Sequence, residues 1–232
     1  AIKEMKISPE VVKGFEKEGI VSVERERCYR TPLPKTIPAE KKAVLNEEQQ
    51  QAVREILEEW DSQVPRPCLI KGVTGSGKTE VYMELIRHVL EQGRQVILLI
   101  PEIALTYQNV SRFYARFGEQ VSLIHSRMSQ GERYDQFERA KEGKISVMIG
   151  PRSALFTPFP RLGLILIDEE HEDSYKSEKT PCYHARETAI QRGKMEGAFV
   201  VMGSASPSVE SYYKAETGAY RLVRLEQRYG GS

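Results

Sequence analysis

The octapeptide Gly72-Val73-Thr74-Gly75-Ser76-Gly77-Lys78-Thr79 has the residue types and spacing of a phosphate-binding loop, G-x-x-x-x-G-K-[ST]. Its glycines let the backbone curl so that successive N–H groups face phosphate oxygens, and a helix starting there would add the positive end of its dipole. Gly72, Thr74, Gly75, Ser76 and Gly77 are candidate phosphate contacts. Lys78 would reach the β- and γ-phosphates, and Thr79 would place its hydroxyl on Mg²⁺. A glycine-rich turn can match this pattern by chance, but a strand before it and a helix after it argue against chance. A second acidic set completes the chemistry. The apolar run Leu164-Ile165-Leu166-Ile167 passes straight into Asp168-Glu169-Glu170-His171. Asp168 would hold Mg²⁺, directly or through water, and Glu169 would polarise an attacking water. Alone, three acids at a strand end read as a solvated loop. With a triphosphate and a metal supplied upstream, Lys78, Asp168 and Glu169 become candidate catalytic residues, and ATP and Mg²⁺ the expected cofactors.

The elements that must position these groups are legible from hydrophobic patterning. Short apolar runs occur at 68–70, 96–100, 121–124, 145–149, 164–167 and 199–202, separated by helical stretches. Val81, Tyr82, Leu85, Ile86, Val89 and Leu90 mark one face of an amphipathic helix directly after the phosphate loop. Continuous apolar strands separated by helices imply an α/β domain with a mostly parallel sheet covered on both faces. Each strand is followed by a polar or Gly/Pro-rich stretch, and an open parallel sheet binds ligands beyond the carboxyl ends of its strands. All of these stretches should share one rim. Beyond the phosphate loop and the acids they include Pro101 to Thr106, His125-Ser126-Arg127, Gly150 to Leu155 and Gly203 to Ser208. Hydroxyls, backbone amides and arginines there suit a second, extended anionic ligand whose phosphates are gripped without base reading, with Pro101, Thr106, Arg127, Arg152 and Ser153 as candidate contacts; the resemblance given below makes that ligand DNA.

Bulk properties set limits. Charged residues reach 29% yet the net charge is +1, so nucleic-acid binding would rest on local patches. Cys28, Cys68 and Cys182 are odd in number and far apart, which disfavours a disulfide framework or a zinc site and fits a reducing, cytoplasmic setting. No apolar run approaches the roughly 20 residues that span a bilayer. Ser8-Pro9-Glu10 reads as a helix start, with Val11, Val12 and Phe15 as its stripe, Gly19 as its stop and a loose strand-like alternation from Ile20 to Tyr29. Residues 1–30 fit either the end of a winged-helix domain or an ordinary appendage. Three prolines between Thr31 and Pro38 make 31–44 a linker, and 45–229 the main domain. A start without Met and a Gly-Gly-Ser end suggest a piece of a longer chain, with 230–232 as appended residues. Cys68 and His88 read as packing and surface residues, and Glu47-Glu48 as helix-start electrostatics.

The ordered motifs resemble the first RecA-like lobe of superfamily 2 helicases. Residues 72–79 resemble motif I, 101–108 motif Ia, 150–155 motif Ib, Asp168-Glu169-Glu170-His171 motif II in its DEEH spelling, and 203–208 motif III. The wording GVTGSGKTEVY, PEIALT, HSRMSQGER, GPRSALF, LIDEEHEDSYK, YHARETAIQR and GSASPSVES is similar to the primosomal protein N′ family, from about Leu45 to Arg228. Several roles follow from the resemblance alone. Gln49 would read adenine. His171 would couple motif II to motif III through Gly203, Ser204 and Ser206. Residues 172–186 would form an aromatic-rich loop that senses single-stranded DNA, with Tyr175, Lys176, Tyr183, His184 and Arg186 as its candidates. For Tyr183, simple packing stands level with base stacking. The family further implies a 3′–5′ DNA helicase acting at stalled forks, with single-stranded DNA-binding protein and primosome or helicase-loader proteins as partners. It also implies a second lobe with a catalytic arginine and zinc-binding cysteines beyond this chain, leaving this piece nearly inactive alone. Two other readings compete: a RecG-like translocase lobe that remodels duplexes, and a non-enzymatic DNA-binding module with a degenerate nucleotide site.

Overall fold

The computed structural model describes residues 8–22 and 44–228. The strand-like stretch after residue 22, most of the proline-rich linker, Cys28 and the last four residues lie outside the described residues. In chain order the described elements are α1 (Pro9–Lys17), α2 (Glu47–Trp60), β1 (Cys68–Gly72), α3 (Lys78–Glu91), β2 (Gln95–Leu99) and α4 (Tyr107–Phe117). Then come β3 (Val121–Leu123), α5 (Gln130–Lys141), β4 (Val147–Gly150), β5 (Leu162–Asp168), β6 (Lys176–Ser177) and β7 (Tyr183–His184). The chain closes with α6 (Ala185–Glu196), β8 (Phe199–Ser204), α7 (Val209–Glu216) and β9 (Arg221–Leu225).

Helix starts follow local chemistry. Ser8 caps α1 ahead of Pro9, and Asn46 caps α2 in a reciprocal capping box with Gln49. Ser129 and Glu132 form the same box on α5. By contrast α3 starts at Gly77 with no side-chain cap, so its leading amides face the phosphate loop.

Seven strands form one parallel sheet in the order β3-β4-β2-β5-β8-β1-β9. Alternate residues of the central strands enter two separate cores. Ile70, Leu98, Leu164, Leu166 and Val201 pack with Val81, Leu85 and Ile86 of α3, Ile56 of α2 and Phe113 of α4. Leu69, Ile97, Ile165, Ile167 and Met202 pack with Ala140 of α5, Ala185 and Ala189 of α6 and Ala215 of α7. Both faces are therefore covered, which is why the strands read as unbroken apolar runs. Because every strand runs the same way, all the connections leaving their carboxyl ends emerge on one rim. Among the described residues no helix is long and apolar enough to cross a membrane.

Two elements escaped the sequence pattern. Among the described residues strand β9 pairs only with β1 at the sheet edge, and its arginines give it a half-polar face. The ribbon β6–β7 has two residues per strand, too few to carry a period.

Candidate functional site

The phosphate loop joins the end of β1 to the start of α3. Gly75 and Gly77 both hold φ of +81°, a conformation that suits glycine. A Cβ on Gly72 would meet Ser76 Oγ at 2.7 Å and Lys78 Cγ at 3.2 Å, so only glycine leaves the cradle its shape. The Lys78 ammonium donates to the Gly72 carbonyl at 2.9 Å and lies 3.6 Å from Glu169 Oε1. Strands β1 and β5 are separated by β8, and this lysine–glutamate approach spans the gap between them. Thr79 and Asp168 line one cavity of about 60 Å³ together with Tyr82 and Asn109.

The acidic end of β5 is tightly held. Asp168 accepts a hydrogen bond from the Tyr82 hydroxyl at 3.0 Å on Oδ1, and its main-chain carbonyl accepts one from the Tyr175 hydroxyl at 2.7 Å. Burial, then repulsion from Glu169, pushes the Asp168 carboxyl up to about 6. The backbone at Glu169 takes φ of +46°, an unusual value for a side-chain-bearing residue and one that recurs at functional turns. Glu170 is fully buried; it accepts from the Ser208 amide at 2.7 Å, from Ser211 Oγ at 2.8 Å and from Arg186 Nη1 at 3.0 Å. His171 Nδ1 lies 2.7 Å from Ser204 Oγ, which also accepts from the Ser206 amide at 3.0 Å.

This donor set fits magnesium nucleotide. Mg²⁺ takes hard oxygen ligands, one or two from protein and the rest from phosphates and water, and a hydroxyl and a carboxylate share a cavity here. Ser76 Oγ is buried without a partner among the described residues, and the carboxyls at 168 and 169 face one lysine, so a cation would relieve the local repulsion.

Four expectations are corrected. Tyr175 is 1% exposed and its hydroxyl is spent on Asp168, so it pins the loop after β5 and presents no face to a base. Arg186 is also buried, its guanidinium paired with Glu170 and with Glu210 at 2.6 Å. A desolvated guanidinium facing carboxylates is held by them and is not offered to phosphate. Gln49 is fully buried; its amide oxygen accepts from the Asn46 amide at 3.0 Å and its nitrogen donates to the Ser76 carbonyl at 3.0 Å. It braces the phosphate loop and has no surface left for adenine. Pro101 is buried and its carbonyl closes the short turn at 102–104, so it shapes the rim without touching a ligand there.

The remaining rim residues are accessible. Thr106 and Arg127 are exposed, with the Thr106 hydroxyl capping α4. Ser153 is half-buried, and Lys176 is exposed on β6. Arg152 Nη1 donates to the carbonyls of Ser174 and Lys176, each at 2.7 Å, tying the stretch after β4 to the ribbon. Tyr183 is half-buried with its ring edge-on to Phe156 at 5.3 Å, and Phe156 is itself 51% exposed. Phe156 was missed because an aromatic in a short apolar run looks like core. Glu80 was missed as well: it is buried beside Thr79 and pairs with Arg112 and Arg116 of α4, linking the two helices.

A family model described as the res subunit of type III restriction enzymes matches residues 42–201. The chain belongs to that family. Within it, the chain is similar to the replication restart protein PriA of Bacillus subtilis, 43% identical over 227 residues covering 97% of this chain and 28% of that protein. It is likewise similar to the replication restart protein PriA of Chlamydia pneumoniae, 44% identical over 230 residues covering 96% and 30%. The chain thus spans less than a third of the length of these relatives. In fold it matches RecG bound to a three-way DNA junction, with TM-score 0.60 and 22% identity over 97% of this chain and 26% of RecG. The α/β fold with a parallel sheet is therefore shared with RecG.

Proposed function

We propose that this chain is the ATP-binding lobe of a DNA helicase that acts in replication restart. The observation that carries the reading is the approach of the Lys78 ammonium to Glu169 across the rim, with Thr79 and Asp168 walling the adjoining cavity. Loop amides, the α3 N-terminus and Lys78 bind the triphosphate. Thr79 and Asp168 would hold Mg²⁺, which when bound would offset the negative charge that develops on the phosphates. Glu169 orients a water and takes its proton on a carboxylate oxygen. Similarity to two proteins named replication restart protein PriA supports the cellular role, and the RecG complex with a DNA junction supports a DNA substrate. Exposed Arg127, Lys176, Thr106 and half-buried Ser153 and Arg152 would contact phosphates, with the exposed part of Phe156 and half-buried Tyr183 offering ring surface for a base to stack on. Residues 8–22 would belong to a separate small unit, and protein partners of the primosome would act on the longer protein.

The test is paired. In the longer protein, wild type should hydrolyse ATP in a DNA-stimulated manner and displace a strand from forked DNA. Lys78→Ala should lower turnover by at least about 100-fold while retaining DNA affinity, as loss of a transition-state electrostatic contact does. ATP hydrolysis without strand displacement would favour a duplex-remodelling translocase, and retained turnover in Lys78→Ala would remove the nucleotide assignment.

A further inference from the structure

Tyr82 belongs to the apolar face of α3, one turn beyond Thr79, and is 1% exposed. A buried phenol needs a hydrogen-bond partner, and here the partner is the carboxylate of Asp168, at 3.0 Å. The path between them crosses β8 at Gly203, which stands opposite Asp168 in the sheet register. A Cβ on Gly203 would fall 1.8 Å from the Tyr82 hydroxyl and 3.0 Å from its ring carbon Cζ. Gly203, near the end of β8, therefore leaves the space through which a tyrosine from the phosphate-loop helix reaches the acid at the end of β5. Tyr175 holds the main-chain carbonyl of the same residue from the other side. A carboxylate has about four acceptor sites, so one phenolic donor leaves capacity for a metal.

We propose that Tyr82 is a positioning residue of the metal site: reaching past Gly203, its hydroxyl orients the Asp168 carboxylate toward the cavity it shares with Thr79. This rests on the nucleotide reading above and adds to it a residue that touches neither phosphate nor metal. The phenol replaces a mobile water as the donor to the carboxylate and fixes its rotamer before metal arrives. It also ties three segments, the start of α3, the end of β5 and the end of β8, into one unit around the cavity.

The test measures metal uptake, separately from turnover. Mn²⁺ binding is titrated by electron paramagnetic resonance in the presence of a non-hydrolysable ATP analogue, and binding of a fluorescent nucleotide is measured in chelator. Tyr82→Phe should weaken Mn²⁺ uptake roughly 10-fold, the low end for loss of an outer partner of a metal ligand, with nucleotide binding in chelator unchanged. Gly203→Ala, which puts a methyl where the hydroxyl now passes, should produce the same loss, and adding Tyr82→Phe to it should cost no further Mn²⁺ affinity. Unchanged Mn²⁺ uptake in Tyr82→Phe, equal losses with and without metal, or additive losses in the double variant would overturn the proposal. Wild-type chain that takes up no Mn²⁺ with nucleotide would overturn the nucleotide reading itself, which separates the two failures.

Discussion

Asp168 has a carboxyl that titrates near 6 in the fold against an ordinary 3.8, because burial and Glu169 both disfavour its charge. The fold without metal therefore prefers the neutral acid. That preference is complete below about pH 4 and is lost as pH rises through 6, so the charged form burdens the metal-free chain by about 2–3 kcal/mol above it. Asp168→Asn should accordingly raise the denaturation midpoint of the chain in chelator at pH 8, give little gain at pH 4 and abolish metal-dependent nucleotide binding. Urea titrations at the two pH values check this; an equal effect at both would show that charge is not the cause. At this scale the sequence singled out Lys78, Thr79, Asp168 and Glu169 by type and spacing, and the fold brings Lys78 to Glu169 and sets Thr79 and Asp168 on one cavity. It was a poor guide to Tyr82, whose place on an apolar helical face hid the hydroxyl's need for a partner.

At the scale of elements, the loop after β5 is held by buried polar contacts. Glu170 and Arg186 are both nearly inaccessible, and Ser208 and Ser211 of the α7 start complete their hydrogen bonds. Removing the cation leaves a buried carboxylate without its counter-charge, so Arg186→Ala should destabilise by about 3–5 kcal/mol. Exposed Lys176 has no such role, and Lys176→Ala should change stability by less than about 0.5 kcal/mol. In the longer protein it should instead weaken DNA binding across sequences and flatten the salt dependence by about one unit of slope. Denaturant melts and salt-dependent DNA titrations separate the two variants. The element reading from sequence erred here because a Tyr, Lys and Arg cluster in a loop carries the same letters whether it faces water or carboxylates. The Asp168 carbonyl holds Tyr175 inward, Glu170 and Glu210 hold Arg186 inward, and Lys176 is left outside.

At the scale of the molecule, the parallel sheet gathers six connections on one rim and places nucleotide and DNA candidates on the same edge. The relatives extend well beyond the matched region, with this chain covering 28–30% of their length. On the proposed reading ATP is closed over by this lobe and a second one, so this chain alone should bind magnesium nucleotide yet turn it over at least about 100-fold more slowly than the longer protein. Robust DNA-stimulated turnover by the chain alone would contradict that. The sequence by itself determined the local facts: the phosphate loop with its lysine and threonine, the acid at a strand end, and apolar runs that must become buried parallel strands. Those depend on residue type and short spacing, which survive without tertiary context. Only the tertiary structure decided what Gly203 makes room for, which of Tyr175, Lys176 and Arg186 stays outside, and that Gln49 is consumed by the loop it was expected to accompany. Each of these depends on contacts between separate elements of the fold, and the direction of a side chain in such a contact is set by the neighbours that close over it.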